Sequence, residues 1–130
     1  MTYNNVHRGD IYMTNLSSTM SNDYKGAVKK GYRPVLVVQN NVGNMYSTTT
    51  LVAPISSSER GLCRKRLPTH VVVKADEYGL EKTSVIHTEQ CRVIDTNLLS
   101  NYIGCLDEEK MCEVDNAIVI SFGLINKISA

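Results

Sequence analysis

Arg33 stands directly before Pro34, between a basic segment and the short apolar run Pro34-Val35-Leu36-Val37-Val38. Proline fixes its own φ and turns the residue before it away from helical geometry. The guanidinium is thus carried on stiff backbone, which suits an arginine that must meet a phosphate repeatedly in one geometry. A strand-end arginine in a salt bridge accounts for the same pattern equally well. Ser56 holds a parallel position, after Leu51-Val52-Ala53-Pro54-Ile55 and before a second basic segment. Its hydroxyl is a candidate to hold a phosphate oxygen or a ribose hydroxyl. Because Ser57 and Ser58 follow, pattern alone reads it first as an ordinary loop serine. His87 lies inside the apolar run Val85-Ile86-His87-Thr88 and reads first as a structural histidine, second as a catalytic one. His7, His70 and His87 are far apart in sequence and no Cys or His spacing suggests a metal site, so none is expected. No P-loop, G-x-S-x-G, H-E-x-x-H or dinucleotide fingerprint occurs, and no cofactor is expected.

A chain of 130 residues has room for one domain, 1–130, with 42% hydrophobic and 21% charged residues, as a folded core needs. No apolar run approaches the roughly 20 residues that span a bilayer, and the polar N-terminus does not read as a signal peptide, so a cytoplasmic protein is expected. Cys63, Cys91, Cys105 and Cys112 are expected as free thiols, two or three of them packed as small apolar residues. The net charge is only +1, but Lys25, Lys29, Lys30 and Arg33, then Arg60, Arg64, Lys65 and Arg66, hold eight of the 14 Lys and Arg. Such segregation suits either a basic face for nucleic acid or two solvated loops.

The elements that must position these groups are mostly short strands. Residues 11–16, 34–38, 48–55 and 69–73 are rich in aliphatic and β-branched residues, and 84–87 and 91–94 read as two strands or one with a bend. Pro54 is expected to mark an edge or a strand end. Residues 17–31, 56–67 and 76–82 read as loops, Asn40-Asn41-Val42-Gly43-Asn44 as a turn, and Asp95 or Thr96 as the cap of a short helical turn through Leu99. The last element differs. Asp107 is a good N-cap, and Met111, Val114, Ile118, Phe122 and Ile125 recur at helical steps. Val119, Ile120 and Leu124 widen that face enough to cover an open barrel or meet a second subunit. Many short strands followed by one helix predict a mainly β fold, a small bent sheet or barrel with a C-terminal helix.

Four blocks carry a resemblance to the MazF/PemK-type toxins. They are Arg8-Gly9-Asp10-Ile11-Tyr12 with Gly31-Tyr32-Arg33-Pro34-Val35-Leu36-Val37-Val38-Gln39-Asn40; Leu51-Val52-Ala53-Pro54-Ile55-Ser56; Leu67-Pro68-Thr69-His70-Val71; and Ser84-Val85-Ile86-His87-Thr88-Glu89-Gln90-Cys91-Arg92-Val93-Ile94-Asp95. The likeness runs from Arg8 to Leu124. It implies an SH3-like or plasmid-toxin barrel, assembled as a homodimer, that cleaves single-stranded RNA, mainly mRNA, without metal, and an antitoxin partner whose tail fills the RNA groove. By position, Arg33 and Ser56 match the family's catalytic pair and Gln90 a substrate-contacting glutamine. Lys29, Lys30 and Arg66 would guide the RNA backbone and Tyr32 would stack on a base; the general base is not identifiable from sequence, His87 and Glu89 being the candidates. The sequence departs from the family at Gly26-Ala27-Val28-Lys29-Lys30-Gly31 before Arg33, and carries serine at 56 where many members have threonine. Two other classes remain. One is a gyrase-poisoning toxin on the same fold, which acts through a C-terminal tryptophan, whereas this chain has no Trp. The other is a non-catalytic RNA-binding barrel, which holds if Arg33 and Ser56 do not converge.

Overall fold

Each run expected to be extended is a strand in the computed structural model, which describes residues 5–19, 31–57 and 67–124. They are β1 (Asp10–Asn15), β2 (Tyr32–Val37), β3 (Thr49–Ser57), β4 (His70–Val73), β5 (Ser84–His87) and β6 (Arg92–Asp95). A further strand, β7 (Leu99–Cys105), was not expected; its Ser100, Asn101 and Gly104 hide it from any hydrophobic pattern. All neighbours pair antiparallel in the order β4-β5-β3-β2-β1-β7, with β6 also on β3. The mainly β fold with a C-terminal helix is therefore present, as an open, bent sheet.

Successive side chains of a strand face opposite sides of the sheet. Ile11, Leu36, Ala53, Ile55 and Ile86 turn to one face and join one core with Val114 and Ala117 of the last helix, α2 (Glu108–Ser121). Val35, Val37, Val52, Ile94 and Leu16 form a smaller core on the other face. Asp107 caps α2 as expected, accepting from the Lys110 amide at 2.8 Å. Arg8 ties the helix to the sheet: its Nε donates to the Val38 carbonyl and its Nη2 pairs with Asp115 at 2.7 Å. The apolar helical face holds as far as Ile118, which packs on the core, but Phe122 is 60% exposed at the helix end.

Three local expectations are corrected. Asn40-Asn41-Val42-Gly43-Asn44 is not a turn but the cap and first residues of a short helix, α1 (Asn41–Tyr46), because the Asn40 side chain accepts from the Gly43 amide and caps it. Pro54 is neither an edge nor an end but lies inside β3. There β3 exchanges one partner for another: Thr49 to Val52 pair with β6, and Ile55 to Ser57 with β5. The Thr88–Gln90 3₁₀ turn joins β5 to β6, so the two run along one side of β3 with the turn looped out between them. This is the bent strand the sequence suggested, and Pro54 sits at the break, where a missing N–H costs the β5 and β6 ladders nothing. Third, of the described cysteines only Cys91 is half-buried; Cys105 and Cys112 are exposed, and all three are free thiols. Cys63 lies outside the described residues.

The β4–β5 hairpin closes on Tyr78 and Gly79, both at positive φ, 55° and 86°. Left-handed backbone at both central positions is what a two-residue hairpin turn of the primed type requires. The turn leans on β7: a Cβ at Gly79 would lie 2.5 Å from the Ile103 carbonyl oxygen, and one at Gly104 would strike the Tyr78 carbonyl. Gly79→Ala therefore combines overpacking with a strained φ, and is expected to lower stability on the order of 2–3 kcal/mol in urea unfolding. An unchanged midpoint would show that the hairpin tip does not bear on β7.

Candidate active site

Register decides which side chains meet. In the β4–β5 hairpin His70 lies opposite His87, and Val72 opposite Val85. In the β3–β5 ladder Ser56 lies opposite Val85. Alternation then turns His70, His87 and Ser56 to one face, the face away from the α2 core. The contacts agree: Ser56 Oγ is 2.7 Å from His87 Nε2, and His87 Nδ1 is 3.2 Å from His70 Nε2, with the two rings edge to face. On the far side of β3, Val35 pairs with Pro54. The ladder ends there; its register, continued by two residues, would set Arg33 level with Ser56 on the same face. Arg33 is half-buried and pairs across β1 with Thr14. That burial pushes its guanidinium below the usual arginine value, although it remains a cation at neutral pH.

Glu89 completes the row from the looped-out turn. Its Oε2 is 2.9 Å from His70 Nε2 and 3.7 Å from His87 Nδ1, and its Oε1 accepts from Thr69 Oγ1 at 3.2 Å. Thr88, fully buried, anchors the turn: its hydroxyl donates to the Thr69 carbonyl and meets Ser121 at the end of α2. Partial burial works against the Glu89 carboxylate, but the hydrogen bond from His70, a backbone N–H and the two imidazoles outweigh it, so its pKa lies below the ordinary value. Burial, and then the Glu89 charge, push the nearby Cys91 thiol up to about 11, which leaves it protonated at neutral pH and unsuited to nucleophilic work.

Two proton arrangements fit this row: in one His70 Nε2–H donates to His87 Nδ1, and in the other both imidazoles point an N–H at Glu89, which leaves His87 Nε2 as an acceptor. The Leu67 amide donates to His70 Nδ1, which places the His70 proton on Nε2, facing Glu89. In the second arrangement, Glu89 Oε2 has another lone pair for a proton on His87 Nδ1. His87 Nε2 is then an acceptor, and the Ser56 hydroxyl donates to it. The chain Ser56, His87, Glu89 is thus hydroxyl, imidazole and carboxylate in the order that lets an imidazole take a proton and a carboxylate stabilise the resulting cation. Ser56 and His87 are both only 8% exposed, whereas His70 is partly buried and Glu89 lies at the surface.

Of the residues expected from sequence, Arg33 on β2 and Ser56 on β3 lie just beyond the last pair of the β2–β3 ladder, Val35 and Pro54, and Gln90 ends the turn that carries Glu89. Ser56 is a strand residue rather than a loop serine. Lys29, Lys30 and Arg66 lie outside the described residues. The expectation that the histidines stay apart fails for His70 and His87. Their meeting was hidden because 17 positions separate them, yet both lie equally far from the Tyr78-Gly79 turn. A hairpin centred on that pair would have placed them opposite each other.

Comparison with known proteins gives the context. The family described as PemK-like, MazF-like toxin of type II toxin-antitoxin system matches residues 7–122. The chain is 42% identical to an endoribonuclease MazF from Staphylococcus epidermidis over 121 residues, covering 93% of this chain and 94% of that one. It is 44% identical to the endoribonuclease EndoA of Bacillus subtilis (strain 168), covering 93% and 97%. A solved mycobacterial endoribonuclease in complex with its cognate antitoxin superposes with a TM-score of 0.70 at 20% identity, over 92% of this chain and 97% of that one.

The depressed Glu89 carboxyl has a consequence for stability. In the acid range the unfolded chain binds the more protons at this group, so the stability it contributes is present above the ordinary carboxylate pKa and is lost as pH falls through the lower folded value. The Tm of the native protein is therefore expected to fall more steeply than that of Glu89→Gln between about pH 5 and pH 3. Parallel curves in a thermal melt series would remove the Glu89 network from the account.

Proposed function

This chain belongs to the PemK-like, MazF-like toxin family of type II toxin-antitoxin systems, and from that premise we propose that it is an endoribonuclease that cleaves single-stranded RNA through Arg33, Ser56 and His87. Endoribonucleases more than 40% identical over nearly its whole length support the activity. The observation that carries the assignment of residues is the 2.7 Å contact of Ser56 Oγ with His87 Nε2, on the strand row that leads to Arg33.

The reaction needs no metal. The ribose 2′-OH next to the scissile phosphate gives its proton to Ser56 Oγ as the Ser56 proton passes to His87 Nε2. The freed O2′ attacks phosphorus, and the bond to O5′ breaks. His87 becomes an imidazolium faced by Glu89, and Arg33 offsets the charge that builds on the phosphorane. The resemblance also points to Arg33 as the group that protonates the leaving O5′. The products are a 2′,3′-cyclic phosphate and a 5′-hydroxyl end. Gln90 contacts a base, Tyr32, 59% exposed beside Arg33, stacks on one, and Lys29, Lys30 and Arg66 guide the backbone.

Two partners belong to this reading. An antitoxin is expected to cover the RNA-binding face, since a structurally similar endoribonuclease was solved with its own. A second copy of the chain is expected as well. The exposed Val42, Met45 and Tyr46 of α1, together with Phe122 and Leu124, offer apolar surface for it.

Arg33→Ala is expected to slow cleavage of single-stranded RNA in EDTA by at least about a hundredfold, with the far-UV CD spectrum unchanged. His87→Leu, a substitution of similar volume, is expected to cost on the order of a hundredfold as well. Sequencing of the new 5′-hydroxyl ends from a mixed RNA pool gives the recognition sequence. Full activity in Arg33→Ala would overturn the assignment, and no cleavage by the native protein would leave an RNA-binding barrel.

A further inference from the structure

We propose that His70, His87 and Glu89 bind one zinc ion, and that zinc there arrests RNA cleavage by holding His87 in the tautomer that cannot accept a proton; the arrest rests on the role given to His87 above.

The site is built from its donor atoms. His70 Nε2, His87 Nδ1 and Glu89 Oε2 form a triangle with edges of 2.9, 3.2 and 3.7 Å. A tetrahedral zinc ion with bonds of about 2.0–2.1 Å has edges of about 3.3–3.4 Å between its ligands, a value those three distances bracket. Two imidazoles and one carboxylate, with a fourth position for water, are a donor set that zinc takes readily, whereas magnesium and calcium prefer oxygen alone. The outer contacts are also those of a metal site. Thr69 Oγ1 donates to Glu89 Oε1 and so aims Oε2 at the imidazoles. Ser56 Oγ stands ready to accept from the outer nitrogen of His87. The ion would take the place of the bonds His70 Nε2 now makes to Glu89 and His87, and the exposed 3.3 Å bond from the Leu67 amide to His70 Nδ1 would yield to water.

Metal binding and proton acceptance compete for one nitrogen lone pair. When His87 Nδ1 ligates zinc, its ring proton must reside on Nε2. The imidazole then donates to Ser56 Oγ and can no longer take the proton of that hydroxyl. His87 is thereby withdrawn from the reaction without any movement of the backbone.

Zinc added to EDTA-stripped, dialysed protein, read by competition with a chromophoric indicator, is expected to fill one saturable site per chain. It is expected to slow cleavage of single-stranded RNA at least about tenfold, and EDTA to restore the rate; magnesium is expected to do neither. Cobalt(II) in place of zinc is expected to show the visible bands of a four-coordinate site with no near-ultraviolet thiolate band. His70→Asn and Glu89→Gln are each expected to weaken zinc binding at least about tenfold, the lower bound seen even for outer contacts. Absence of a saturable site, a thiolate band, or native affinity in both variants would overturn the site. Zinc bound without loss of cleavage would overturn the arrest. His87→Leu then separates the causes: native cleavage in that variant means that the role of His87 has failed, and loss of cleavage means that the link through its tautomer has.

Discussion

The register of β5 between β4 and β3 is the constraint on which the rest of this structure depends. It is set at the hairpin tip, where Tyr78 and Gly79 take the left-handed conformations of a two-residue turn. From there His70 falls opposite His87, and the β3 ladder brings Ser56 beside them. A slip of one residue would turn Val85 and His87 to the α2 core and expose Ile86 in their place. The apolar core and the polar row thus enforce the same register from opposite faces of one sheet. Burying Ile86 is what aims His87.

The same economy operates at Pro54. A strand that paired along its whole length with one partner would have no place for the Thr88–Gln90 turn, and Glu89 would not reach the imidazoles. At Pro54 the β3 ladder passes from β6 to β5, and the turn loops out over the gap. Thr88 fixes the loop from beneath through the Thr69 carbonyl and Ser121. The proline that breaks the ladder is thus part of what brings a carboxylate into the row.

Much of this was legible in the sequence, and what was not has identifiable causes. Six strands announced themselves by runs of Val, Ile and Thr, because those residues pack well on a pleated surface. The seventh, β7, is an exposed edge with Ser100, Asn101 and Gly104, so burial left no periodic mark on it. Residues 40–46 carry the letters of a turn, yet one asparagine side chain was enough to start a helix there. Arg33 and Ser56 each stand where an apolar run meets a basic segment, but pattern alone read Ser56 as a loop serine, and the family resemblance was what singled the pair out. The pairing of His70 with His87 depends on a register that only the turn specifies, and a lone histidine in an apolar strand gives no sign of its partner. Burial, not type, also separated the cysteines: Cys105 and Cys112 have the composition of core residues and the exposure of surface ones.

The two uses proposed for the row, as proton acceptor and as metal site, require the same thing. A catalytic imidazole needs a carboxylate at one nitrogen and a hydroxyl at the other, and a zinc ligand needs its outer nitrogen held in the same way. What separates them is which atom sits between His87 Nδ1 and Glu89 Oε2. At 3.7 Å those atoms are too far apart for a short hydrogen bond but well placed to share an ion. His70 decides the balance. Without it, His87 and Glu89 would close on each other and the pair would be a simple base and its orienting acid. With it, the carboxylate is drawn to a second imidazole and the His87 contact stays open, at 3.7 Å, which is the room the proposed ion would take.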